Sequence, residues 1–93
     1  MKYKIEFAPQ AETDTNDIGV FLAKKDFDAA EKCVGKIEAS IALLSHSPRM
    51  GRQYKDYRKH VSDNYNIYYR LDEDVKSITI VRVIHHAMKQ KIK

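Results

Sequence analysis

The strongest constraint on the fold is the run Ile78-Thr79-Ile80-Val81-Arg82-Val83-Ile84, which is apolar at both odd and even positions. Successive side chains of a strand point to opposite faces, so a strand of this kind needs cover on both sides and belongs inside a sheet. Just before it, Tyr65, Ile67, Tyr69 and Leu71 alternate with Asn66, Tyr68 and Arg70, the period of a strand with one buried face. Asp72-Glu73-Asp74 supplies the turn between the two. Ser62-Asp63-Asn64 supplies another upstream, because Asp and Asn tolerate positive φ. Tyr57 to Val61 is then placed as a strand by its neighbours, and the three together form an antiparallel meander ending in His85-His86-Ala87-Met88.

The first half has a different period. Lys2 to Phe7 places Tyr3, Ile5 and Phe7 on one face of a short strand, and Pro9 follows where a helix can begin without its missing N–H. Ala11, Thr15, Ile18 and Leu22 recur at helical spacing, with Phe21 widening the stripe. This helix is expected to end near Lys24-Lys25, whose charges complement its dipole. Asp26 or Asp28 can cap a second helix, Asp28 and Glu31 having the spacing of a capping pair. Ala30, Val34, Ile37, Ile41 and Leu44 give that helix an apolar seam. Ser45 to Lys55 contains Pro48 and Gly51 without a sustained period and is predicted to be a loop. The expected fold is α+β in the order β-α-α-β-β-β, a helical hairpin packed on a mainly antiparallel four-stranded sheet.

A chain of 93 residues supports one core and one domain, spanning 1–93. Nine aromatic side chains and a 43% hydrophobic content exclude a disordered polymer, and no apolar run approaches the ~20 residues of a membrane span. Met1 to Glu6 has no apolar core of a signal peptide, and the lone Cys33 forms no internal disulfide, so a reducing cytoplasm is expected. Cys33 is expected to pack as a small hydrophobe. Charge divides the chain: residues 1–48 hold six Lys/Arg against eight Asp/Glu, residues 49–93 eleven against five. The basic second half suits an acidic partner.

The ordered set Phe7-x-Pro9-x-Ala11, Asp14, Ile18, Phe21, Ala30 through Ile37, Ile41, Leu44, Pro48, Gly51, Arg58, Tyr65-x-Ile67-x-Tyr69-Arg70 and Ile78-x-Ile80-Val81-x-Val83-x-His85 resembles the RelE/ParE superfamily of toxins from bacterial toxin–antitoxin pairs. Thr15 stands where that family usually has leucine. The resemblance implies a toxin neutralised by a cognate acidic antitoxin in a hetero-oligomer, with no cofactor and no membrane partner. RelE-like members cut mRNA on the ribosome, and ParE-like members block DNA gyrase without chemistry of their own. RNA cleavage needs a base for the 2′-OH, a clamp for the phosphate and an acid for the leaving oxygen. Nuclease members carry an Arg just after the Tyr that begins the third strand, and basic residues on the strand before it. This sequence has Asn66 and Asp56 there, and Asn carries no charge for a phosphate while Asp repels one. The ending Ile80-Val81-Arg82-Val83-Ile84-His85-His86-Ala87-Met88 resembles the ParE-like pattern, which favours a gyrase poison. A ribosome-dependent nuclease is the alternative, and an antitoxin-binding module without toxicity a second.

On the ParE-like view the target-contacting residues are Arg58, Lys59, Arg82, His85, His86 and Lys89, with no catalytic residue. On the nuclease view His85, His86, Arg58 and Arg82 are catalytic. Adjacent residues of a regular strand face opposite ways, so His85 and His86 are not expected to share a metal, and none is expected elsewhere. Tyr65, Ile67 and Tyr69 are expected in the core, with Tyr54 and Tyr68 freer to anchor a partner. Val20, Lys24 and Phe27 are the expected antitoxin contacts.

Overall fold

The two-sided apolar run lies, as its pattern requires, inside the sheet. The computed structural model describes residues 2–86. Its elements are β1 (Lys4–Phe7), α1 (Pro9–Ala23), α2 (Phe27–His46), β2 (Arg52–Tyr54), β3 (Tyr57–Ser62), β4 (Tyr65–Asp72) and β5 (Ser77–His85). The strands form one sheet in the order β1-β5-β4-β3-β2. β1 runs parallel to β5, pairing Lys4 with Ser77 through Phe7 with Ile80, and the other neighbours are antiparallel. The fold is therefore two helices on a five-stranded mixed sheet.

The fifth strand is the element that periodicity does not reveal. Arg52-Gln53-Tyr54 falls within the predicted loop and has no apolar alternation of its own. It is a strand because β3 offers a free edge, pairing Arg52 with Lys59 and Tyr54 with Tyr57. Lys55 takes φ 54° in the turn between them, Asp63 takes φ 56° in the β3–β4 turn and Lys76 φ 55° before β5. Each of the three turns thus uses a left-handed residue to reverse the chain.

Helix boundaries follow local chemistry. Pro9 occupies the first turn of α1, and Thr15, where a leucine would extend the apolar stripe, instead donates its hydroxyl to the Ala11 carbonyl at 3.0 Å. Phe21 does not join that stripe: it is 58% exposed, with the Lys25 ammonium 4.7 Å from its ring centre. Asp26 is the cap of α2, its carboxylate accepting from the Asp28 and Ala29 N–H groups at 3.0 and 3.3 Å. The Asp28–Glu31 pair is therefore not the cap. Ala30, Ile37, Ile41 and Leu44 are buried as their spacing predicts, and Cys33 packs half-buried against the same core.

A bulge sets the faces of β5. Tyr68 pairs with Arg82 and Tyr69 with Ile80, so Val81 is the extra residue and alternation restarts beyond it. Ile78, Ile80 and Val83 then all join the core beneath the helices, with Ile67 and Tyr69 of β4. Tyr57, Tyr68 and Ile84 form a second cluster, built from strand residues alone, on the other face. Tyr68, expected to be freer to anchor a partner, is 6% exposed there. Among the described residues no helix is long and apolar enough to cross a membrane.

One buried hydroxyl closes the loop before β2. Tyr69 donates to the Pro48 carbonyl at 2.7 Å and accepts from the Gly51 N–H at 2.9 Å, and the Arg58 guanidinium donates to the Gly51 carbonyl at 2.6 Å. A Cβ on Gly51 would stand 2.6 Å from that hydroxyl and 3.0 Å from the Lys59 carbonyl. Gly51→Ala is therefore expected to cost about 1–3 kcal/mol through overpacking and loss of the hydroxyl bridge. Urea unfolding checks it, and an unchanged midpoint would show that the loop absorbs the methyl group.

Candidate functional site

β1 pairs with β5 only as far as Ile80, because Ala8 and Pro9 then turn the chain into α1. Asp14, in the second turn of α1, meets the edge of β5 that β1 leaves open. Its carboxylate accepts from Arg82 Nε at 2.8 Å, Arg82 Nη2 at 3.1 Å, the Val83 backbone N–H at 3.0 Å and Gln10 Nε2 at 3.0 Å. Its side chain is 10% exposed and that of Arg82 23%, whereas the partners of the other ion pairs are 46–73% exposed. Burial alone would raise the Asp14 pKa, but the hydrogen bonds from Arg82, Val83 and Gln10 outweigh it and hold the carboxyl below its usual value. The bond to Asp14 likewise raises the Arg82 pKa. Arg82, a candidate for target contact, is thus also the residue that fastens α1 to the end of β5.

The two histidines lie at that same end, but not as strand alternation predicts. β5 stops at His85, and His86 turns out of the sheet, its N–H donating to the Asn64 carbonyl at 2.9 Å. The rings consequently stack, with centres 5.0 Å apart and planes at 17°. His85 is half-buried and meets the Tyr65 ring edge-on at 5.1 Å; His86 is exposed, with Nδ1 3.0 Å from the Asn64 oxygen. Tyr65 itself is buried, and burial, with Cys33 beside it, pushes its phenol up to about 12. His85, Tyr65, Asp17, Phe21 and the Asp14–Arg82 pair line a groove of about 510 Å³ between α1 and β5.

Lys59 belongs elsewhere. Strand alternation in β3 puts Tyr57 and Lys59 on the face away from the helices, and Arg58, His60 and Ser62 on the helical face, where the Ser62 and Ser40 hydroxyls meet at 2.6 Å. Burial lowers the His60 pKa, which favours its neutral form. The Lys59 ammonium lies 5.3 Å from the centre of the Tyr54 ring, and that ring tilts against Tyr68 at 5.4 Å. Arg58 reaches the loop before β2, as described above. The candidates therefore separate into the Asp14–Arg82 latch, His85 in the groove with His86 stacked on it, Arg58 in the loop closure and Lys59 on the open sheet face. Lys89 lies outside the described residues.

The expected antitoxin contacts surround the helical hairpin. Val20 is 50% and Phe27 65% exposed, and Lys24 is the C-cap of α1. Val20 lines a second groove, of about 540 Å³, with Phe7, Gly19, Ala23 and Val34. Asp14 is the residue whose role sequence analysis missed: its partner is 68 residues away, and no local pattern announces the pairing.

Comparison with known proteins places this architecture. The family described as the ParE toxin of type II toxin–antitoxin systems, parDE, matches residues 5–90. No curated protein matches the sequence significantly. Among solved structures, the fold is similar to a chain of the chromosomal ParDE system from P. aeruginosa, at TM-score 0.76 and 18% identity over 90% of this chain and 96% of that one. It is also similar to a chain of the RelBE2 toxin–antitoxin complex from Mycobacterium tuberculosis, at TM-score 0.71 and 20% identity over 91% and 99%. A chain of the intact E. coli RelBE complex follows at TM-score 0.62 and 15% identity over 89% and 95%.

Replacing Asp14 by Asn leaves the Arg82 guanidinium without its counter-charge and weakens the bond to Val83. The expected loss is about 2 kcal/mol, below the ~3–5 of a fully buried pair because Arg82 keeps some exposure. The sign of the pH effect is fixed by the depressed carboxyl: its contribution is complete above the ordinary value of 3.8 and disappears as pH falls through the lower folded value. Thermal melts of wild type and Asp14→Asn across the acid range check this. Their difference should shrink on acidification, and a constant difference would remove the charge from the explanation.

Proposed function

We propose that this chain, which belongs to the ParE toxin family of type II toxin–antitoxin systems, poisons DNA gyrase by binding it and makes or breaks no bond itself. The observation that supports binding over cutting is the separation of the candidate groups. Cleavage of RNA needs a base, a phosphate clamp and an acid within reach of one phosphate. Here His85 lines the groove beside α1 with His86 stacked on it, Lys59 stands on the opposite face, and Arg58 and Arg82 are bonded to Gly51 and Asp14. The position just after the Tyr that begins β4 holds the uncharged Asn66; Asp56, expected on the strand before it, lies instead in the β2–β3 turn, and β3 itself carries Arg58 and Lys59. A rigid surface that displays charge without a converged acid–base pair fits a protein that jams a partner.

On this view Arg58, Lys59, Arg82, His85, His86 and Lys89 are the target-contacting set, with no catalytic member. The partner that restrains the toxin is an acidic antitoxin, since the similar structures are those of toxin–antitoxin complexes and the second half of the chain is basic. Val20, Lys24 and Phe27 are proposed as its contacts. Val20 and Phe27 present apolar surface that an amphipathic helix could cover. A cytoplasmic site of action follows from the target.

Protein freed of antitoxin, assayed for gyrase supercoiling and cleavage beside ribosome-programmed mRNA cleavage, decides between the two activities. Accumulated cut DNA with intact mRNA is the expected result; cut mRNA with unaffected gyrase would sink the proposal. The double substitution His85→Gln with His86→Gln sharpens the distinction. Loss of a general acid or base slows a reaction by about 10²–10⁴. Loss of two contact side chains from a binding surface should weaken gyrase inhibition by only about tenfold, or ~1.4 kcal/mol.

A further inference from the structure

The open face of the sheet carries four cations that form no ion pair among the described residues. Arg52 and Lys59 are direct cross-strand partners, Lys55 occupies the adjoining turn and Arg70 stands on the next strand. The Lys55 and Lys59 ammonium groups lie 5.7 and 5.3 Å from the centre of the Tyr54 ring, and the Arg70 guanidinium lies 4.9 Å from that of Tyr57. Among the described residues the ion pairs engage Lys4, Lys36, Arg49 and Arg82, and none engages these four. Like charges directly opposite one another on a sheet face are destabilising. Asp56 lies in the β2–β3 turn, and Asp72, at the end of β4, accepts from the Asp74 and Val75 N–H groups.

An arrangement that holds repelling cations on aromatic supports, on a rigid sheet and open to solvent, is completed by an extended polyanion. Cations on the adjacent strands β2, β3 and β4 stand side by side, and their long side chains can splay to reach phosphates along one backbone. We propose that this face, through Arg52, Lys55, Lys59 and Arg70, binds the phosphate backbone of DNA. The contact is independent of base sequence, because it is made by point charges and a guanidinium rather than by groups directed at base edges. It rests on gyrase being the target, and gives the toxin a second hold on the DNA that gyrase carries. The groove beside α1 and the Asp14–Arg82 pair lie at the edge and on the helical side of the sheet, so both surfaces can be used at once.

The test is fluorescence anisotropy of a short labelled DNA duplex with the full chain freed of antitoxin, across a salt series. Four phosphate contacts predict a slope of log affinity against log salt approaching about −3.6. Arg52→Gln with Lys59→Gln should lower that slope by about 2 and leave the melting temperature unchanged or higher, since a repulsion is removed. Lys55→Gly removes a cation from a residue at φ 54°, so it should weaken binding while favouring the fold. Absence of binding at low salt, a slope unchanged in the variants, or tighter binding of RNA of the same length would each overturn the assignment. The outcome separates from that for gyrase: poisoning without duplex binding removes this surface and leaves the target, whereas duplex binding without poisoning does the reverse.

Discussion

The structure depends on how the chain completes an edge of β5 that its first strand leaves open. β1 is short because Pro9 commits the chain to a helix, so beyond Ile80 the β5 backbone faces α1 instead of another strand. Asp14 meets that edge, one carboxylate taking the Val83 N–H together with two donors of Arg82. A backbone donor at a covered edge costs free energy unless it is paired. A carboxylate can accept several such bonds at once, which a neutral side chain cannot match. The same contact sets where α1 lies, and hence the groove between α1 and the histidine end of β5.

The sheet then separates two kinds of surface. Its helical face is a conventional core, in which Ile37, Ile41 and Leu44 of α2 meet Ile67, Tyr69, Ile78 and Ile80. Its other face has a smaller cluster of Tyr57, Tyr68 and Ile84 surrounded by cations. The two adjacent tyrosines of β4 show the division: Tyr69 spends its hydroxyl on the loop of Pro48 and Gly51, while Tyr68 braces Tyr54 beneath Lys59. Aromatic rings serve both purposes because each has a broad apolar body with a polar or electron-rich feature.

The family match makes this a chain of the ParE toxin family, while the likeness to ParDE and RelBE chains alike concerns the fold alone. One scaffold can carry either activity, because function resides in the groups placed on it. In this chain those groups are dispersed over a latch, a groove, a loop closure and an open face.

The order of elements was legible in the sequence, because periods of two and of 3.6 residues are local consequences of backbone geometry. Ile78 to Ile84 marked a central strand, Ala30 to Leu44 a helix packed on a core, and the turns at Asp63 and Asp72 the meander between. The charge division was legible as composition, though not as a face. Tertiary structure alone decided the rest: Arg52-Gln53-Tyr54 became a strand because β3 had an edge to fill, and the Val81 bulge brought Val83 under the helices. His85 and His86 stack because the strand ends between them, and Asp14 found Arg82 across 68 residues of chain. These outcomes depend on which segments become neighbours in space, a property of the packed chain that no local pattern encodes.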